Sequence, residues 1–144
     1  MNYLSFLLLL LLASPTWLTD FKKGKTEAVA SNKLIVLNFS GSDWCGPCIR
    51  LKKEVFESKA FEDYSAEKLV LVNADFPRYK KNQLSKEQTN ENEALADKYN
   101  PAGRFLFTVL LDPDGKVLKQ WDGLPDGTAE KFTDEIKTFE HAGK

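Results

Sequence analysis

Cys45 and Cys48 are the only two thiols in the 144 residues, and they stand three positions apart. A bridge over so short a loop takes little entropy from the unfolded chain, so stapling the fold is a weak reason for the pair. Disulfide exchange is a stronger one: a thiolate attacks a disulfide sulfur, and a second thiol resolves the mixed disulfide. That chemistry asks for a place that stabilises sulfur as an anion, and the first turn of a helix is such a place. The run Asp43-Trp44-Cys45-Gly46-Pro47-Cys48 lies where an apolar stretch hands over to helix-forming sequence. Pro47 suits a first helical turn, where a missing N–H costs little. Gly46 lets a partner backbone come close. Cys48 then falls one turn along, within bridging reach of Cys45. On this reading Cys45 attacks, Cys48 resolves, and an external donor restores the dithiol. No organic cofactor and no metal is called for. Structural zinc wants four Cys or His ligands, and this chain offers two Cys and a remote His141. A structural disulfide stays open as the plainer alternative.

The elements that must hold the pair follow from periodicity. Residues 17–30 carry Trp17, Phe21 and Ala28 among charged residues and predict an amphipathic helix. Residues 34–39 and 69–74 are continuous apolar runs, suited to strands buried on both faces. Between them a helix is expected over 47–58, with Cys48, Leu51 and Val55 inward. Residues 61–68 are mixed and end in a turn. Residues 75–91 are polar and predict a long loop, followed by a short helix over 92–99 that Asn100-Pro101 stops. A third strand is expected over 105–111. Asp112-Pro113-Asp114-Gly115 is a turn signal, because Pro presets φ and Gly tolerates positive φ. It joins a fourth strand over 117–121. Thr128 caps a last helix with an inner stripe of Phe132, Ile136 and Phe139. Strand–helix–strand implies a parallel pair with a right-handed crossover. The expected class is α/β, a central mixed sheet of four to five strands with helices on both faces.

A C-x-x-C pair at a strand–helix junction in such a pattern is a recognised redox context. Trp44-Cys45-Gly46-Pro47-Cys48 resembles the active-site sequence of the thioredoxin-like family. The wider run from Leu37 to Cys45, the run Asn73-Ala74-Asp75-Phe76-Pro77-Arg78 and Lys98-Tyr99-Asn100 look like an exported bacterial subgroup of it. The resemblance covers residues 17–141. It implies the thioredoxin fold, with strand 34–39 central and strands 69–74 and 117–121 outermost. It also implies a reducing activity, since Gly-Pro between the cysteines is the choice of the reductants. By the same resemblance Trp44, Gly46, Pro47 and Asp43 support the site, and Phe105 and Leu106 face substrate.

The chain departs from the family's pattern in three places. The family's buried aspartate beneath the second cysteine aligns with Asn38, which cannot take a proton, and Asp43 is expected to face solvent. The family's cis-proline before the third core strand aligns with Leu106. A cis bond there would cost about 3–4 kcal/mol, so a trans bond is expected, and Leu106→Pro is expected to raise turnover. The polar segment 75–91 is longer than compact domains usually keep. It reads either as a solvated insertion or as a surface for a partner.

Composition is that of a globular protein: 42% hydrophobic, 28% charged and a net charge of −1. It offers no basic stripe to release counterions from phosphate, so nucleic acid is not an expected partner. Residues 1–13 stand apart, with six leucines from Leu7 to Leu12. The run is short for a bilayer span of about 20 residues and matches the apolar core of a signal peptide. Cleavage near Ala13 would leave one domain over 14–144, periplasmic or secreted, with a membrane anchor as the lesser alternative. A monomer is expected, with disulfide-containing client proteins as partners and a membrane thiol reductase as electron donor. Disulfide isomerisation belongs to the same chemistry. A client-binding adaptor with little turnover is the reading from another class, and Leu106 favours it.

Overall fold

In the computed structural model, which describes residues 15–141, five strands form one mixed sheet in the order β1-β3-β2-β4-β5. The leader assigned to 1–13 lies outside the described residues. Strand β2 (Leu34–Ser40) is central. It pairs in parallel with β3 (Leu69–Asp75) and antiparallel with β4 (Phe107–Leu111). Strand β5 (Val117–Asp122) closes one edge by the expected hairpin with β4. Its turn works as its residues suggest: Asp112 accepts from the N–H groups of Asp114 and Lys116, and Gly115 sits at φ +90°.

The other edge differs from the expectation. Trp17 and Leu18 are a short strand, β1, paired in parallel with Leu71 and Val72. Strand β3 is therefore interior, and the outermost strands are β1 and β5. The helix expected from residue 17 begins later, as α1 (Phe21–Ser31), because Asp20 caps it by accepting from the Lys23 N–H. The indole of Trp17 meets the Phe56 ring at a tilt, centroids 4.8 Å apart, a contact a helix-period reading of residues 17–30 does not anticipate.

Alternate residues of β2 face opposite layers. Leu34 and Val36 join Cys45, Cys48, Leu51, Val55, Phe61, Phe132 and Ile136 in one apolar layer. Ile35, Leu37 and Phe39 join Ala28, Leu95 and Tyr99 in the other. The first layer is roofed by α2 (Gly46–Leu51), α3 (Lys59–Lys68) and α5 (Ala129–Lys137), and the second by α1 and α4 (Lys86–Tyr99).

Three further boundaries depart from the periodicity. Residues 61–68, read as mixed, belong to helix α3 (Lys59–Lys68), capped by Ser58 accepting from Phe61 N–H. The long loop shortens to residues 76–85, because Ser85 caps α4 six residues upstream of the expected start; its polar face had hidden the helix. Helix α2 does not run on to residue 58 as a plain α-helix. It passes into a π-helical turn over Lys52–Phe56, in which Glu57 N–H donates to Lys52 C=O at 2.8 Å. Among the described residues no helix is long and apolar enough to cross a membrane.

Candidate active site

The strand β2 ends at Ser40, and five residues later Cys45 is the N-cap of α2. Cys45 has extended backbone, φ −92°, and its Sγ accepts the N–H of Cys48 at 3.3 Å. A sulfur in that position meets an unpaired helical N–H and the positive end of the peptide dipoles. Cys45 and Cys48 are joined as a disulfide, with Cα atoms 5.2 Å apart. Both are 6% exposed. Gly46 and Pro47 are exposed beside them, and nothing lies within 4 Å of where a Gly46 side chain would begin.

Two carboxylates fix the chain that delivers Cys45. Asp75, at the end of β3, accepts from Ser42 N–H at 2.9 Å, from the hydroxyls of Ser42 and Ser40, and from Phe76 N–H. Asp43 was expected to face solvent; its oxygens turn instead to the 76–85 segment. They accept from the N–H of Arg78 and of Tyr79, each at 2.9 Å, and from the Asn82 amide at 3.0 Å. Desolvation pulls the Asp43 carboxyl upward, but the bonds from Arg78, Asn82 and Tyr79 outweigh it and hold it below its ordinary 3.8. The clamp is therefore complete above the ordinary carboxylate range and is lost as pH falls through the lowered value. Proteolysis within 76–85 is expected to stay slow to about pH 4 and to rise below it. Asp43→Asn is expected to show the fast rate at every pH; equal rates for the two proteins at pH 6 would contradict the clamp.

Trp44 closes the site from the same side. Its indole N–H donates to the Phe76 carbonyl at 2.8 Å. The Arg78 guanidinium lies 3.6 Å over its ring, and Phe105 meets it edge-on at 4.6 Å. Gly41 is the floor of this arrangement: a Cβ there would fall 2.3 Å from the indole.

Beneath Cys48 the sheet presents a polar row. Asn38, buried, is opposite Asn73 in β3 and Thr108 in β4, and its amide donates to the Thr108 hydroxyl at 3.0 Å. A cavity of about 400 Å³ opens there between Cys48, Asn38, Asn73 and Trp17. Lys52, Lys53 and Glu57 stand among its lining residues. Glu57 is their one carboxylate, 3.6 Å from the Lys52 ammonium.

The loop before β4 brings Phe105 against Trp44 and Leu106 into the cysteine layer. Asn100, buried, holds it by donating to Arg104 C=O and accepting from Arg104 N–H. Phe105 is 56% exposed, whereas Leu106 is 3% exposed and packs in the cysteine layer. Leu106 has φ +58°. No cis peptide bond occurs among the described residues, as expected for leucine at this place. Proline cannot adopt that φ, so Leu106→Pro is now expected to distort this loop rather than to raise turnover.

Sequence reasoning found the cysteines, Trp44 and the loop of Phe105 and Leu106. It missed Gly41, Asn100 and Glu57, and it missed what Asp43 binds, because the partners lie 35 to 39 residues away. Among the described residues no cluster of three or more His, Cys, Asp or Glu could hold a metal ion.

A family model described as thioredoxin-like matches residues 16–108. This chain belongs to the thioredoxin-like family. A disulfide bond reductase, DsbH, of Chlamydia pneumoniae is 36% identical over 107 residues, 74% of this chain and 62% of that protein. The thioredoxin-related protein DsbJ of the same organism is 30% identical over 123 residues, 85% of this chain and 34% of that one. The chain therefore spans less than two thirds of either relative. A solved structure of a DsbH oxidoreductase superposes with a TM-score of 0.78 at 28% identity, covering 88% of this chain and 84% of that one. A Thermus thermophilus thioredoxin superposes at 0.67 with 16% identity and 91% of each chain covered, which shows a shared thioredoxin fold.

Proposed function

We propose that this thioredoxin-like chain is a thiol–disulfide oxidoreductase that reduces or exchanges disulfides of client proteins. The observation that carries the reading is the Cys45 sulfur at the first turn of α2, accepting a helical N–H, with Cys48 bonded to it one turn on. In the reduced protein the Cys45 thiolate attacks one sulfur of a client disulfide. A Cys45–client bond forms and the other client sulfur leaves as thiolate. Cys48 loses its proton and attacks Cys45; the Cys45–Cys48 bond forms and the second client thiolate leaves. Client sulfur gains two electrons and the enzyme pair loses two. Asn38 cannot accept the Cys48 proton, so it leaves through the cavity of about 400 Å³, whose carboxylate is Glu57.

A donor must then return two electrons, and a membrane thiol reductase is the proposed one. The apolar run 1–13 supports work outside the cytoplasm, and the chain is proposed to act as a monomer. With dithiothreitol as donor the protein is expected to accelerate insulin reduction. A pair potential near about −270 mV, the thioredoxin range, is expected; a value near −120 mV, the range of strong oxidants, would overturn the reducing direction. Leu106, buried where the family has proline, favours a second reading as a client-holding adaptor. Client capture without insulin reduction would select it.

A further inference from the structure

Residues 76–86 carry Arg78, Lys80, Lys81 and Lys86 and no carboxylate, in a chain of net charge −1. The segment is fixed against the dithiol. Asp43 holds the N–H groups of Arg78 and Tyr79 and the amide of Asn82, and the Phe76 carbonyl takes the indole N–H of Trp44. Asp43 and Trp44 are the two residues that precede Cys45. Lys80–Asn82 form a 3₁₀ turn beyond these anchors. The backbone that carries the cations is thus held beside the dithiol, and the Arg78 guanidinium is seated on Trp44.

Their charge is also uncommitted. Among the described residues no carboxylate is within 4.0 Å of the charged nitrogens of Arg78, Lys80 or Lys81, whereas Arg50 pairs with Glu54 and Lys52 with Glu57. Two carboxylates bond to the segment, and both are occupied: Asp43 by three donors and Asp75 by Phe76 N–H, Ser42 N–H and the Ser40 and Ser42 hydroxyls. Counting both, residues 75–86 and Asp43 carry four positive charges and two negative. Beside them lie exposed apolar groups, Tyr79 at 54% and Phe105 at 56% exposure, the latter 5.9 Å from the Arg78 guanidinium; Ile49, 41% exposed, follows Cys48 on α2. The face of the Arg78 guanidinium covers Trp44, which leaves its N–H edge to meet a carboxylate.

We infer that this rim docks an extended, acidic client segment beside the disulfide to be reduced. Asp or Glu side chains of the client meet Arg78, Lys80 and Lys81, and the residues next to the client cysteine lie on Trp44, Phe105 and Ile49. The inference rests on the dithiol reading above and names its substrate class. Charges on a rim act mainly on encounter and selection, and salt screens them within about 8–10 Å.

The test uses one disulfide-bearing peptide in three forms, flanked by Asp/Glu, by Ser/Gln or by Lys/Arg. A second set, with serine for cysteine, reports binding without chemistry, by fluorescence anisotropy of labelled peptide. The acidic serine peptide is expected to bind about tenfold or more tighter than the basic one at roughly 20 mM salt, narrowing to about twofold at 0.5 M. The double variant K80E/K81E is expected to reverse the order, and K80Q/K81Q to flatten it. Equal binding of acidic and basic peptides, or an unchanged order in K80E/K81E, would overturn the inference. Acidic preference in the serine set with no reduction in the disulfide set would leave the docking rim standing and sink the dithiol reading. Reduction of all three peptides with equal binding would do the opposite.

Discussion

Replacing Cys48 by serine is expected to halt the thioredoxin-like chain halfway through its reaction. Cys45 still has its place at the N-cap of α2, so the first attack proceeds and the mixed disulfide forms. The resolving thiol is gone, and a serine hydroxyl does not displace a thiolate under these conditions. Insulin reduction should fall by about two orders of magnitude or more, within the range seen when one member of a reacting set is removed. The client should remain attached to Cys45 and come off with dithiothreitol. Cys45→Ser should lose both turnover and capture. Capture by Cys45→Ser and none by Cys48→Ser would mean that the roles are exchanged. Burial does not distinguish the two roles, since both cysteines are 6% exposed. The argument rests on the helical N–H given to Cys45 sulfur.

The second large effect is on stability, at Leu106. Its φ of +58° is a left-handed conformation that costs a non-glycine residue about 1–2 kcal/mol. Burial of the leucine in the cysteine layer, and the bond from Gly123 N–H to its carbonyl at 2.8 Å, hold it there. Proline fixes φ near −65°. Leu106→Pro must therefore rotate the chain, lift the side chain from the core and break the Gly123 bond, at a cost of about 3 kcal/mol or more. Leu106→Ala should lose about 2–5 kcal/mol by truncation. Leu106→Gly should lose less than Leu106→Ala, since glycine regains the left-handed cost. That order is the reverse of the one at ordinary φ, where glycine is the worse residue by about 0.5–1 kcal/mol. Urea unfolding of the three variants measures it. A proline variant as stable as the wild type would contradict the backbone geometry at this residue.

Much of this was legible in the chain before its coordinates. The buried strands β2 and β3 are short apolar runs, and period and length were enough to find them. The cysteine pair is local chemistry at a local junction, so its motif and its place coincide. What stayed hidden was non-local or weakly patterned. Trp17 and Leu18 are too few to show a strand period, and only the free edge of β3 makes them one. Residues 86–91 are polar enough to read as loop, yet Ser85 caps a helix there whose buried contacts begin at Asn92. The π-helical turn after α2 has no sequence signature at all. Asp43 was legible as a neighbour that supports the site, but what it binds was not, because its donors arrive from the other end of the crossover. Leu106 was legible as a departure from proline, but not as a left-handed residue, since leucine carries no mark of positive φ.

The central claim is that the start of α2 makes Cys45 a ready thiolate. It is tested most directly by the pH dependence of iodoacetamide alkylation of Cys45 in the reduced Cys48→Ser protein. The account predicts a midpoint at or below about pH 7.5, the upper end for thiols at helix starts. A midpoint at or above about 8.5, the value of a free cysteine, would contradict it.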